Sequence, residues 1–257
     1  MQTTRRKTIQ TFGSAGIVAM LGGSGVAAVV GADGDSSGTS DSNAANAADE
    51  ESSMAMVRVA HASPDAPNVD VWVDGSKVLS DVPFMAVSDY LDVPTGTRTV
   101  TITAAGDPDT VAFEGDLTLD AMAYTVAAIG ELTDDDTEFV PWVLGDDASP
   151  GDEMAAVRLA HAAPDAPAVT VTVMDGKKTL FSDVAFGEAS DYVEVPAGSY
   201  TLEVWPAEGD GCDPVATFDV EVECGNAYTG FAEGYLTPDD EPADEMFDLV
   251  IAQDATN

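Results

Sequence analysis

The sequence predicts an all-β protein made of two tandem antiparallel β-sandwich domains, immunoglobulin-like or transthyretin-like. Three observations carry this. Apolar and polar residues alternate at period two, turn residues punctuate the chain at short intervals, and the whole pattern occurs twice.

The repeat shows most clearly at its start. Val57-Arg58-Val59-Ala60-His61-Ala62-Ser63-Pro64-Asp65-Ala66-Pro67 returns as Val157-Arg158-Leu159-Ala160-His161-Ala162-Ala163-Pro164-Asp165-Ala166-Pro167. Further on, Asp74-Gly75 answers to Asp175-Gly176, Ser88-Asp89-Tyr90 to Ser190-Asp191-Tyr192, and Val93-Pro94 to Val195-Pro196. Ala123-Tyr124-Thr125 answers to Ala227-Tyr228-Thr229, and Phe139 to Phe247. A duplicated unit of about a hundred residues has the usual size of one domain. The expected organisation is a signal peptide over 1–32, an acidic linker over 33–54, repeat 1 over 55–150 and repeat 2 over 151–257.

Within repeat 1, Val69, Val71 and Val73 alternate with Asp70, Trp72 and Asp74, and Val100 and Ile102 alternate with Thr99, Thr101 and Thr103. Each is a strand with one buried face. Further strands fit 57–61, 88–93, 111–119, 123–130 and 139–144. Asp74-Gly75, Pro94-Thr95-Gly96 and Gly106-Asp107-Pro108 supply the turns between them. No segment keeps a helical period.

These motifs resemble a known family. Val-Arg-x-Ala-His-x-x-Pro-Asp-Ala-Pro, Ser-Asp-Tyr, the Val-Pro-x-Gly turn and the Ala-Tyr-Thr strand together are similar to the domain of unknown function 4397, over nearly all of residues 55–257. The resemblance implies secreted bacterial or archaeal sandwich modules, often in tandem, and supplies no activity and no site.

The charge is extreme. The 257 residues hold 47 acidic against nine basic side chains, with a formal net charge of −38. Such a surface repels nucleic acid and anionic lipid, and suits a solvent salty enough to screen it, as in a halophilic archaeon. Arg5, Arg6 and Lys7 precede an uncharged run from Phe12 to Val30, and no acid occurs before Asp33. This resembles a twin-arginine export signal, with small residues at Val30-Gly31-Ala32 for cleavage. An uncleaved leader would serve as a marginal anchor; otherwise contact with the membrane is transient. The following Asp-, Ser-, Asn- and Gly-rich stretch reads as a solvated spacer. Asp33, Asp35, Ser37 and Gly38 imitate a calcium loop, but Ala44 stands where its last carboxylate would be.

Candidate chemistry is sparse. His61 and His161, the only histidines, could act as bases beside Asp65 and Asp165. One His per domain makes no zinc site, and neither a cofactor nor a metal is expected. By alternation His61 points to the core, and Pro64-Asp65-Ala66-Pro67, like Pro164-Asp165-Ala166-Pro167, makes a rigid turn whose carboxylate can accept backbone N–H groups. The favoured reading is a structural clasp. A Ser63-His61-Asp65 triad lacks a nucleophile elbow and loses its serine at Ala163 in the second copy. Tyr90 and Tyr192, next to Asp89 and Asp191, are expected as buried rings whose hydroxyls tie down a neighbouring strand end, with a ligand-facing role as the alternative.

The acidic runs 133–138 and 238–241 are read as solvated loops, with calcium binding as the alternative. Export would favour a Cys212–Cys224 disulfide, yet an intervening strand of about 20 Å, at roughly 3.3 Å per residue, opposes it. Trp72 falls on the outward phase of its strand, where it could meet a partner, a carbohydrate or the other domain.

The functional expectation is an exported surface or secreted protein that binds or scaffolds, partnered by an envelope protein or polysaccharide, and not an enzyme. The alternatives are a calcium-dependent adhesion module and, after that, a hydrolase using His61 and His161.

Overall fold

The computed structural model describes residues 5–6, 53–133, 137–173, 176, 178–207 and 213–256. The expected signal peptide and linker fall almost wholly outside the described residues, as do Cys212 and positions 134–136 of the first acidic run.

The chain is all-β. A two-residue strand β1 (Arg5–Arg6) precedes repeat 1, which runs β2 (Met54–His61), β3 (Val69–Val73), β4 (Ser76–Val82), β5 (Leu91–Pro94), β6 (Gly96–Ala104), β7 (Asp107–Leu119), β8 (Ala123–Ile129) and β9 (Val140–Gly145). Repeat 2 follows with β10 (Met154–His161), β11 (Val169–Val173), β12 (Lys178–Val184), β13 (Val193–Pro196), β14 (Gly198–Pro206), β15 (Ala216–Val222), β16 (Ala227–Glu233) and β17 (Asp248–Asp254). A 3-10 turn, Pro238–Asp240, lies before β17.

Each repeat is a sandwich of two sheets. Repeat 1 stacks β5-β2-β8-β9 on β4-β3-β6-β7; repeat 2 stacks β13-β10-β16-β17 on β12-β11-β14-β15, with β1 parallel on the free edge of β15. Within the sandwiches pairing is antiparallel except for one parallel pair in each, β2·β8 and β10·β16. The expected antiparallel sandwiches thus each include one parallel pair, because the first strand of each repeat is inserted beside a strand that arrives after a crossover between sheets. The hairpin β3–β4 turns through Asp74 and Gly75, both at positive φ, as a two-residue loop of this chemistry requires. Strand β4 was absent from the expected set. A register shift interrupts its pairing with β3 and Asp81 adopts φ 54°, so the side chains of Ser76–Val82 do not alternate cleanly.

The strands β2 and β8 are buried on both faces. Val57, Val59, Val126 and Ala128 turn into the sandwich core, where Val71, Leu79, Val100 and Ile102 meet them. Residues of the other phase, Ala60, Ala127 and Ile129, join Ala160, Phe231, Val250 and Ala252 of repeat 2 in a second apolar cluster. The two sandwiches are therefore welded face to face through their inner sheets. The repetition alone suggests two units that unfold independently; the shared cluster corrects this. Alanine on the contact phase of both inner sheets lets the backbones approach closely.

Candidate functional site

The Pro-Asp-Ala-Pro loops are built the same way in both repeats. His61 ends β2, is fully buried, and its Nε2–H donates to Pro67 O at 3.0 Å; His161 Nε2–H donates to Pro167 O at 3.1 Å. Asp65 accepts from Leu132 N at 2.9 Å, from Thr133 N at 3.0 Å and from the Thr133 hydroxyl at 2.8 Å. Asp165 repeats this with Leu236 N, Thr237 N and the Thr237 hydroxyl. Each loop thus closes over the connection from β8 to β9 or from β16 to β17. Pro64 is buried, while Pro67 and Pro167 are exposed at the loop tips.

Burial pushes both imidazoles below their ordinary pKa, against the opposing pull of the proline carbonyls, so the rings are held neutral. A ring with no solvent access whose N–H is already given to backbone is poorly placed to move a substrate proton. Ser63 Oγ lies 3.4 Å from Asp65 and points at no histidine nitrogen.

In the Ser-Asp-Tyr segments each residue has its own partner. Ser88 accepts from Val59 N and donates to Asp89 O, as Ser190 does with Leu159 and Asp191, while the carboxylates of Asp89 and Asp191 are exposed. The tyrosines lead to a buried group of paired charges. Tyr90 donates to Asp146 at 2.6 Å, and Tyr192 to Asp254 at 2.7 Å.

Around those carboxylates four residues per side form a closed network across the two repeats. Arg58, on the contact phase of β2, donates through Nε to Thr125 at 2.8 Å, through one terminal nitrogen to Gln253 O at 2.7 Å, and through the other to Asp254. Arg158 does the same with Thr229, with Gly145 O at 2.8 Å, and with Asp146. The hydroxyls of Thr125 and Thr229 in turn donate to Asp146 and Asp254 at 2.7 and 2.8 Å. The guanidinium groups lie over the rings of Tyr90 and Tyr192, 4.9 and 4.7 Å from the centroids. Arg58, Arg158, Asp146 and Asp254 are all at most 5% exposed.

The repeats exchange these bonds reciprocally, which is the pattern of an isologous two-fold contact. Desolvation, with the neighbouring carboxylates, raises both phenol pKa values well above the ordinary range, so the tyrosines remain proton donors.

This network was missed in the sequence, although signals for it exist. In a chain with so few bases, arginine stands at one repeat position twice; Thr125 and Thr229 end the repeated Ala-Tyr-Thr, and Asp146 follows, and Asp254 closes, the last strand of its repeat.

The tryptophans lie elsewhere. Trp72 donates to Thr103 at 3.2 Å with Lys77 over its ring, and Trp205 donates to Thr172 at 3.0 Å. Both sit on outer sheets, with tryptophan and threonine exchanged between the two strand positions from one repeat to the other. Trp142 packs against the shared apolar cluster. Cys224 is free and exposed just after β15. Among the described residues no group of three or more His, Cys, Asp or Glu is arranged to hold a metal ion.

Fold and interface define a two-lobed β-sandwich protein closed by a pseudo-two-fold contact between its repeats. The chain belongs to the family described as "Domain of unknown function (DUF4397)", whose model matches residues 55–172 and again 155–256. No curated protein matches it. Among solved structures, the Bacillus anthracis TIE protein aligns at 12% identity with a TM-score of 0.23, over 71% of this chain and 34% of that one. The chain thus spans about a third of that protein's length. A proposed cell adhesion protein of Bacteroides fragilis aligns at 8% identity with a TM-score of 0.18, over 77% of this chain and 96% of that one.

Proposed function

We infer that this chain is an exported, non-catalytic surface protein of a halophile, working as a rigid double module that binds or scaffolds at the cell envelope. One observation carries this reading: the repeated polar residues are spent on closing the fold, with His61 and His161 inside loops and the Arg-Tyr-Thr-Asp sets inside the joint between repeats. The outer sheets and acidic loops remain to meet a partner, an envelope protein or polysaccharide. The twin arginines, the acid-free leader and the polar spacer support export and display at a distance from the membrane.

The test is equilibrium binding of residues 53–257 to isolated envelopes in molar salt. Saturable binding, competed by excess unlabelled protein and retained by the His61→Ala variant below its melting temperature, is expected. Absence of saturable binding, or turnover of an esterase or peptidase substrate that His61→Ala abolishes, would overturn the reading.

A further inference from the structure

The outer sheets present four edge strands, and three of them are blunted. β4, β7 and β12 each lose register with the neighbouring strand at an irregularity, and β7 also opens with Asp107-Pro108. Bulges and proline spoil an edge as a template for a further strand. β15 has neither. Its residues, Ala216–Val222, stay in unbroken register with Gly198–Val204 of β14, with Phe218, Val220 and Val222 buried in the core. The main-chain groups on its far side form an ordered row with no strand of either repeat against it.

A segment is seated on that row. β1 pairs with β15 in parallel, Arg5 opposite Phe218 and Arg6 opposite Asp219. Being part of the same chain, this segment meets the edge at a high effective concentration, so that a short pairing can persist. The outer face beside the edge is acidic. It carries Asp219, which accepts from the Thr201 hydroxyl at 2.7 Å, and Glu221, with Glu203 on β14. Like charge turns an acidic strand away from such an edge, and opposite charge favours a basic one. In a chain with nine basic side chains, Arg5-Arg6-Lys7 is the one run of three. The regular backbone and the acidic face thus suit the same segment that lies there.

We propose that the free edge of β15 is a strand-docking site for the chain's own basic N-terminal segment, attached by main-chain bonds and selected by charge. The mode is β-strand addition, with the acceptor and the added strand on one chain. While the segment is docked, the arginine pair is committed to folded repeat 2, and a receptor that reads the pair must first lift it off; once the segment leaves, the edge stands open. The docking does not depend on the export reading, whereas the withholding of a signal rests on it.

Amide hydrogen exchange on the full chain in molar salt tests the docking. The edge-facing N–H groups of residues 216–222 should exchange at least about tenfold more slowly in the wild-type chain than in a variant carrying Arg5→Pro and Arg6→Pro, which has no donors at those positions. β7 should exchange alike in both. The two positions lie outside both repeats, and unchanged protection of β14 checks that the fold is kept. Arg5→Glu with Arg6→Glu should lose most of the slowing through repulsion. Arg5→Lys with Arg6→Lys should retain it, because charge and main chain are both kept; that pair separates docking from export, which the same change is expected to block. Equal exchange of β15 in the wild-type and proline chains would overturn the proposal. So would an equal slowing of β7, full protection in the glutamate variant, or its loss in the lysine variant.

Discussion

Replacing Arg58 by alanine should be among the most damaging single changes available to this molecule. The guanidinium gives up its bonds to Thr125, Gln253 O and Asp254, together with its stacking on Tyr90. Asp254 keeps its donors Tyr192 and Thr229, both on Oδ2, while Oδ1 loses its arginine partner and stays buried. Breaking a buried ion pair from one side leaves an uncompensated charge and costs about 3–5 kcal/mol.

The loss should fall on the joint first, since Arg58 belongs to repeat 1 and its charged partner to repeat 2. Urea unfolding at fixed high salt should change from one transition to two, with the repeat-only transitions little altered. Arg158→Ala should behave alike, because its bonds are the two-fold equivalents. In a double-mutant cycle with Asp254→Ala, Arg58 should show a coupling of roughly 1–3 kcal/mol. A loss below about 1 kcal/mol with a single transition retained would mean that the network is not what joins the repeats.

Other expectations follow from the same geometry. His61→Ala removes the donor to Pro67 O and opens a core site, and should cost on the order of 1–3 kcal/mol, read by thermal melting; an unchanged melting temperature would count against the clasp. Because burial lowers the pKa of both histidines, the unfolded chain takes up protons first. Stability should therefore be full above about pH 6.5, fall as pH drops below it, and level off once pH passes the folded-state values. Converting both histidines to glutamine should flatten that limb of the profile. Lowering salt from molar to tens of millimolar lengthens the screening distance from about 3 Å several-fold, and with a net charge of −38 should lower the thermal midpoint; a midpoint that does not move would refute the halophile reading. Arg5→Lys with Arg6→Lys should trap folded precursor in the cytoplasm, and normal secretion of that variant would refute the export route.

The sequence by itself determined the class of fold, the duplication and most of the strands. Period-two alternation in Val69–Val73 and Thr99–Thr103 answers to a physical demand, one face in a core and one in water, that acts within a few residues and so is visible locally. It failed at β4, where the bulge at Asp81 breaks the period, and it could not foresee the parallel pairs β2·β8 and β10·β16, since pairing direction depends on how the chain crosses between sheets.

The joint was decided by tertiary structure alone. Arg58 looks in the sequence like a solvated base between two valines, and Asp146 like one acid among many. Nothing local distinguishes a charge facing water from one facing a partner nearly two hundred residues away. Only when the inner sheets stack does Arg58 meet Asp254 and Arg158 meet Asp146. The same stacking turns Glu131 and Tyr235, unlike residues in like positions, into partners on an axis that exists only once both repeats have folded.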